Sequence, residues 1–208
     1  MSDTHYIGVI GASEATAAER DAARAVGSGL ARAGAVVLCG GRGGVMEAVC
    51  EGAKQARGVT IGVLPGSDRA EANAHVDVAL ATGLGELRNG LLVRCSDALI
   101  AIGGGWGTLS EISFALRIGR PVVALASWDA LPAEGAPLAA GVGIAAGAAA
   151  GAAAGAAAAA GAGVRRTGSG SSELKRAEDP EGAVRRALSL AGRAASTHTT
   201  CRTSVPRT

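Results

Sequence analysis

The stretch that decides the fold runs from Gly83 to Leu125 and reads GLGELRNGLLVRCSDALIAIGGGWGTLSEISFALRIGRPVVAL. Within it Ala98–Ile102 is an unbroken apolar run, as expected of a strand buried on both faces. The run stops in a glycine turn, Gly103–Gly107, after which Thr108–Ile118 reads as a helix and Pro121–Leu125 as a second strand. Glu86–Cys95 reads as the helix that leads in. Strand, turn, helix and strand in this order make a parallel unit, because two parallel strands need a crossover and a helix is the usual one.

The same alternation extends upstream. His5–Ile10 reads as a strand, Glu14–Ala33 as an Ala-rich helix with a charged face, and Ala35–Leu38 as the next strand. The turn Gly40–Gly44 leads into a helix through Arg57; Val59–Val63 is a third strand ending at Pro65-Gly66, and Val76–Ala81 a short fourth. The pattern predicts an α/β chain: a single Rossmann-like domain with a doubly wound parallel sheet and helices on both faces, over residues 1–137. Residues 138–172 read as a low-complexity Ala/Gly/Ser-rich insert with no chemical role. Gly147, Gly151 and Gly155 are spaced as in close-packed helices, and Leu138–Gly163 has no charge. Alanine and glycine nonetheless supply too little apolar surface to favour insertion into lipid. Asp179-Pro180-Glu181 opens a closing helix within residues 173–193, with proline at the first helical position. Residues 194–208 have no apolar periodicity and read as a disordered tail.

Composition narrows the function. The chain has 208 residues, 18% of them charged, with a net charge of +2, so it lacks the basic field that holds nucleic acid or an anionic membrane. No partner of either kind is expected. Cys39, Cys50, Cys95 and Cys201 form no C-x-x-C pair, and MSDTHYIGVIGAS is not a secretory leader, which fits a reducing cytoplasm. His5, His75 and His198 lack metal-ligand spacing, so no metal site is expected.

Outside the insert, glycine gathers where strands end: at Gly8 and Gly11, at Gly40–Gly44, and at Gly103–Gly107. The carboxyl edge of an open parallel sheet is where ligands bind, since each following helix presents N–H groups and its positive dipole end there. Three such turns point to an anionic ligand. The chain has no G-x-x-x-x-G-K-[ST] and no strict G-x-G-x-x-G, and its second strand ends Leu38-Cys39-Gly40 without an acid for a ribose hydroxyl. Neither a P-loop nor the usual NAD site is expected.

At this point the residues resemble the Lonely Guy family, also labelled lysine-decarboxylase-like or SLOG, whose signature is P-G-G-x-G-T-x-x-E preceded by a helix carrying an arginine. Gly104, Gly105, Gly107, Thr108 and Glu111 match in place, and Arg88 falls where the helix arginine stands. GVIGAS and CGGRGGVMEAVCEGA match the family's other glycine loops, so the similarity spans Tyr6–Leu125. The resemblance implies a nucleoside 5′-monophosphate site in a homodimer or higher homo-oligomer, with the helices near Arg88 close to the interface. It implies cleavage of the N-glycosidic bond to base and ribose 5-phosphate, with no cofactor required and with Glu111 and Arg88 catalytic. A carboxylate stabilises the sugar cation of such a reaction and orients water, and a guanidinium fork fixes a phosphate or leaving base. Phosphate contacts would come from Gly11, Ser13, Gly41, Arg42, Gly43, Gly44, Gly104, Gly105, Gly107 and Thr108. Decarboxylation through a pyridoxal Schiff base is discounted, because the domain offers only Lys54, away from the glycine loops.

Each residue also has a structural reading. Glu111 near a helix start meets the dipole in any case, and Arg88 can pair with Glu86 on an exposed face. Trp106 either stacks on a base or covers its loop; Asn73 and Asn89 either bond a ligand or cap turns. Met46 and Val49 read as core. Two departures separate the chain from the hydrolases: Gly103 replaces the signature proline, and Asn89 replaces a lysine after Arg88. They resemble a branch that includes molybdenum-cofactor carrier-like proteins. The alternative reading is therefore a non-catalytic carrier of molybdenum cofactor or a related pterin phosphate.

Overall fold

A computed structural model of the chain describes residues 4–127 and 174–199. The expected insert lies outside those residues, as do positions 200–208 of the expected tail. The strands are β1 (Tyr6–Gly11), β2 (Val36–Cys39), β3 (Thr60–Leu64), β4 (Val78–Ala81), β5 (Ala98–Ile102), β6 (Val122–Leu125) and β7 (Leu174–Ala177). Between and after them run α1 (Ala17–Arg32), α2 (Val45–Gln55), α3 (Arg88–Cys95), α4 (Trp106–Arg117) and α5 (Pro180–Thr199). They form one seven-stranded sheet in the order β4-β3-β2-β1-β5-β6-β7, with every neighbouring pair parallel. The chain builds outward from β1 to β4 and then returns through α3 to start again at β5 on the other side of β1. The order therefore reverses between β1 and β5, which opens a crevice at their carboxyl ends.

Strand periodicity divides the core into two layers. Ile7, Val9, Ile100, Ile102, Val123 and Leu125 point to one face, where they are packed by α1, α2 and α5 through residues such as Val26, Leu30, Val49 and Ala187. Ile10, Leu99, Ala101, Val122 and Ala124 point to the other, covered by Leu92 and Val93 of α3 and Ile112, Ala115 and Leu116 of α4. Helices on both faces make the sheet doubly wound, as the sequence predicts.

Several elements differ from expectation. α1 starts at Ala17 because Thr16 and Glu19 form a capping box, each side chain accepting the other's backbone N–H, a T-x-x-E signal legible at positions 16–19. β7 is an additional strand; LKRA is short and carries two cations, as edge strands do, so no apolar run announces it. An Arg186 guanidinium bond to the Arg176 carbonyl ties this edge to α5. α5 itself continues to Thr199, past the expected end near Arg193 and into the stretch read as a tail, because helical backbone there needs no apolar periodicity once a packed helix leads into it.

α1 and α2 cross with almost no separation. A Cβ on Gly27 would lie 2.0 Å from the Val49 carbonyl oxygen, and one on Gly52 would lie 2.0 Å from that of Arg24. These glycines set the spacing of the two helices that follow the β1 and β2 loops. In an open helix, Gly→Ala gains about 1 kcal/mol. Here the sign reverses: Gly52→Ala is expected to lower the unfolding free energy by about 2 kcal/mol in urea denaturation, since backbone atoms cannot step aside. Unchanged or raised stability would contradict this packing.

Candidate functional site

The crevice at the β1/β5 reversal has a volume of about 530 Å³ and is walled by the ends of β1, β2, β3 and β5 together with α3 and α4. Of the residues singled out from the sequence, Gly11, Ser13, Arg42, Gly43, Arg88, Asn89, Gly105, Gly107, Thr108 and Glu111 line it. Met46, read as core, also reaches the wall, as do Glu14 and Glu86, which the sequence did not single out.

The other candidates stand behind or outside it. Gly41, Gly44 and Gly104 shape turns. Asn73 braces the β2 turn from outside: its side-chain amide donates to the Arg42 carbonyl at 2.9 Å and its backbone N–H to the Gly41 carbonyl at 2.9 Å. Trp106 opens α4 and is 76% exposed, away from the crevice.

The three helix starts nearby are not equivalent. α1 is closed by its capping box. Val45 N–H of α2 donates to the Ala12 carbonyl at 3.0 Å, which joins the β1 and β2 loops. α4 begins on Gly105 with no side-chain cap, and Gly107 and Thr108 of its first turn face the crevice. Its positive end is therefore open to an anion; α2 likewise lacks a side-chain cap at Gly44, but its first N–H is taken by Ala12.

Arg88 is the buried cation of the site, only 8% exposed. The exposed-face pairing with Glu86 does not occur. The guanidinium lies over Gly40, where a Cβ would come within 2.6 Å of Nη1 and 2.8 Å of Nη2, so any side chain there would displace it. Its Nη1 stands 3.9 Å from Glu111 Oε1, near enough for charge attraction and too far for a hydrogen bond. Its Nε is buried with no hydrogen-bond partner, and so is Asn89 Oδ1. The Asn89 amide nitrogen donates instead to Glu86 Oε2 at 3.4 Å. Unpaired polar atoms in a crevice wall carry a standing cost that a ligand's own donors and acceptors relieve.

Glu111 is 6% exposed and lies in the second turn of α4, because the helix starts two residues earlier than the sequence suggests. The dipole reading fails there, since the effect fades after the first turn. Burial pushes the Glu111 carboxyl up to about 7; Arg88 opposes the shift and Glu86 adds to it. At neutral pH the group both donates and accepts a proton.

Gly103 explains one departure in backbone terms. Its φ is +54°, which proline, locked near −65°, cannot adopt, and a Cβ there would sit 1.8 Å from Glu19 Oε1. The β5 turn thus packs directly on the capping carboxylate of α1. Lys54 lies elsewhere, its Nζ 2.5 Å from Asp77 Oδ1. Among the described residues no group of three or more His, Cys, Asp or Glu side chains could hold a metal ion, and no helix is long and apolar enough to cross a membrane.

Comparison with known proteins agrees with the fold. An uncharacterized protein of Archaeoglobus fulgidus is 44% identical over 119 residues, 57% of this chain and 78% of that protein. A solved molybdenum cofactor binding protein from Rippkaea orientalis is 43% identical, covering 62% of this chain and 80% of that one, with a TM-score of 0.60. The molybdenum cofactor carrier protein of Chlamydomonas reinhardtii is 28% identical, covering 91% of this chain and 99% of that one, with a TM-score of 0.64. The model of the SLOG cluster4 family matches residues 4–139, and the chain belongs to that family.

Proposed function

We propose that the protein binds molybdenum cofactor or a closely related pterin phosphate in the β1/β5 crevice and carries it without chemical change. The observation behind this reading is the 43% identity to a molybdenum cofactor binding protein over 62% of this chain. The donor set fits such a cargo. The uncapped start of α4, with Gly107 and Thr108, suits the phosphate, while Arg42 and Arg88 supply positive charge. A pterin edge carries N–H groups and ring acceptors, for which the Glu86, Arg88 and Asn89 side chains on the crevice wall are suitable partners. A volume of about 530 Å³ is ordinary for a ligand of this size.

A second reading rests on Glu111. A buried carboxyl near 7 beside a buried arginine suits cleavage of a nucleoside 5′-monophosphate, the ionised form stabilising the sugar cation and Arg88 holding phosphate or base. Purification and incubation separate the two. Under the carrier reading a pterin phosphate copurifies with the wild type, Arg88→Ala loses most of it, and added AMP stays intact. Release of adenine and ribose 5-phosphate that disappears in Glu111→Ala would replace the carrier reading with the hydrolase.

The cargo reading extends to assembly. Val78 and Leu80 of the edge strand pair in register with Ile61 and Val63, so they face the side of the sheet that carries α3 and α4. Both are exposed, and the chain continues through exposed Leu84, Leu87 and Leu91 into and along α3, with Leu87 80% exposed. A run of this kind is a protein contact surface. We propose a homodimer across it, which places the contact beside Arg88. Light scattering after size exclusion is expected to give twice the chain mass for wild type and the chain mass for Leu87→Asp; a monomeric wild type would contradict the assignment.

Glu111 also makes stability depend on pH. Its folded value of about 7 lies above the ordinary 4.5, so between those values the folded chain holds a proton that the unfolded chain releases. Stability contributed by the neutral acid is complete below 4.5 and is lost as pH rises toward 7, a difference on the order of 3 kcal/mol. Glu111→Gln is therefore expected to melt higher than wild type at pH 8 and close to it at pH 4.5. Equal melting temperatures at pH 8 would contradict a buried, elevated carboxyl.

A further inference from the structure

Cys39 ends β2 and Cys50 lies mid-way along α2; both are fully buried, and their sulfurs are 3.4 Å apart. Cys39 Sγ also accepts the Gly41 N–H at 3.3 Å and lies 3.8 Å from the Met46 carbonyl oxygen. This thiol is therefore the inner brace of the Gly40–Gly44 turn, as Asn73 is the outer one. The turn's far side carries Arg42 and Gly43 on the crevice wall and Gly40 beneath the Arg88 guanidinium. Two thiols in contact behind a ligand loop are absorbed neither by the cargo reading nor by the hydrolase.

We infer that Cys39 and Cys50 form a redox pair that reshapes the Gly40–Gly44 turn when a small hydroperoxide oxidises them to a disulfide. The Cys50 thiol contact, in which either sulfur can be the donor, together with the Gly41 N–H and the nearby Arg88 charge holds the Cys39 thiol below its ordinary range. Cys50 is held above it, chiefly by that same contact and by burial. Of the two sulfurs Cys39 is the one that receives a backbone N–H, from Gly41, which makes it the attacking sulfur and Cys50 the resolving one.

In the first step the Cys39 thiolate bonds to one peroxide oxygen, the O–O bond breaks, and the other oxygen takes a proton from solvent and leaves as water or an alcohol. The Cys39 sulfenic acid then loses its S–O bond as Cys50 sulfur bonds to Cys39 sulfur, and the hydroxyl leaves as water with the Cys50 proton. Two thiols are oxidised and one peroxide is reduced. The sulfurs must close from 3.4 Å to about 2.05 Å, which draws Cys39 towards α2 and away from Gly41 N–H. Because both sulfurs are buried, the oxidant must be small: hydrogen peroxide suits the site and a bulky disulfide such as oxidised glutathione does not.

The inference concerns the turn itself and holds whatever the crevice carries; only its consequence for cargo rests on the reading above. The full-length protein is treated with hydrogen peroxide, its remaining thiols are blocked, and it is digested with trypsin, which cuts after Arg32, Arg42 and Lys54 and so separates the two cysteines. The expected product is the peptide 33–42 joined through sulfur to 43–54, reversible with dithiothreitol and absent after oxidised glutathione. Amide exchange at Gly41 should rise about fivefold in the cross-linked protein, the loss of one ordinary hydrogen bond. Absence of the cross-link, or a cross-link that leaves exchange across residues 40–44 unchanged, overturns the inference. Failure of the cargo reading would instead appear as the cross-link and the faster Gly41 exchange both present, with no pterin bound to the untreated protein.

Discussion

Arg88 is where four parts of the fold meet. It comes from the first turn of α3, rests over Gly40 at the end of β2, is bounded by Met46 of α2, and faces Glu111 of α4. A buried guanidinium is costly unless something answers its charge and its five donors. Glu111 answers the charge in part, from 3.9 Å, and burial holds that carboxyl near 7. Nε has no partner. The surrounding sheet is rigid, with Ile7, Val9, Ile100 and Ile102 all fully buried, so the mismatch cannot relax by collapse of the walls. The site is a fixed cavity with incomplete polar pairing, as binding sites commonly are.

That arrangement depends on the strand order. Only at the reversal between β1 and β5 do neighbouring loops diverge to opposite faces, and the glycine turns meet there. The capping box of α1 removes one helix start from the site, and the Ala12–Val45 bond commits another to joining two loops. α4 carries neither restraint, although α2 likewise has no side-chain cap at Gly44. A single anionic position next to a buried cation and a titrating carboxyl follows, and it serves a stored phosphate ester and a cleaved one equally well. Gly103 bears on the distinction only through its backbone: its φ of +54° lets Glu19 pack against the β5 turn, a geometry the signature proline would forbid.

Much of this was legible in the sequence because it is carried by local signals. The apolar run Ala98–Ile102 is β5 to the residue, and glycines at strand ends mark the binding edge. What was not legible depends on contacts distant along the chain. Asn73 reads as a ligand residue or a cap, yet its partner is a turn 31 positions earlier. Cys39 and Cys50 have no motif spacing and meet because a strand end lies against the middle of a helix. β7 is hidden by its lysine and arginine, which suit an edge and conceal a strand. Glu14 and Glu86 join the wall through loop geometry that composition does not encode.

The central claim is that an anionic group docks between the start of α4 and Arg88. A crystal structure of the protein soaked with AMP tests it most directly, since the phosphate is electron-dense and the probe is common to both functional readings. Phosphate density is expected against the backbone N–H groups of Gly107 and Thr108, with the Arg88 guanidinium turned to engage the ligand. Density elsewhere on the surface, or a crevice holding only water at saturating AMP, would contradict it.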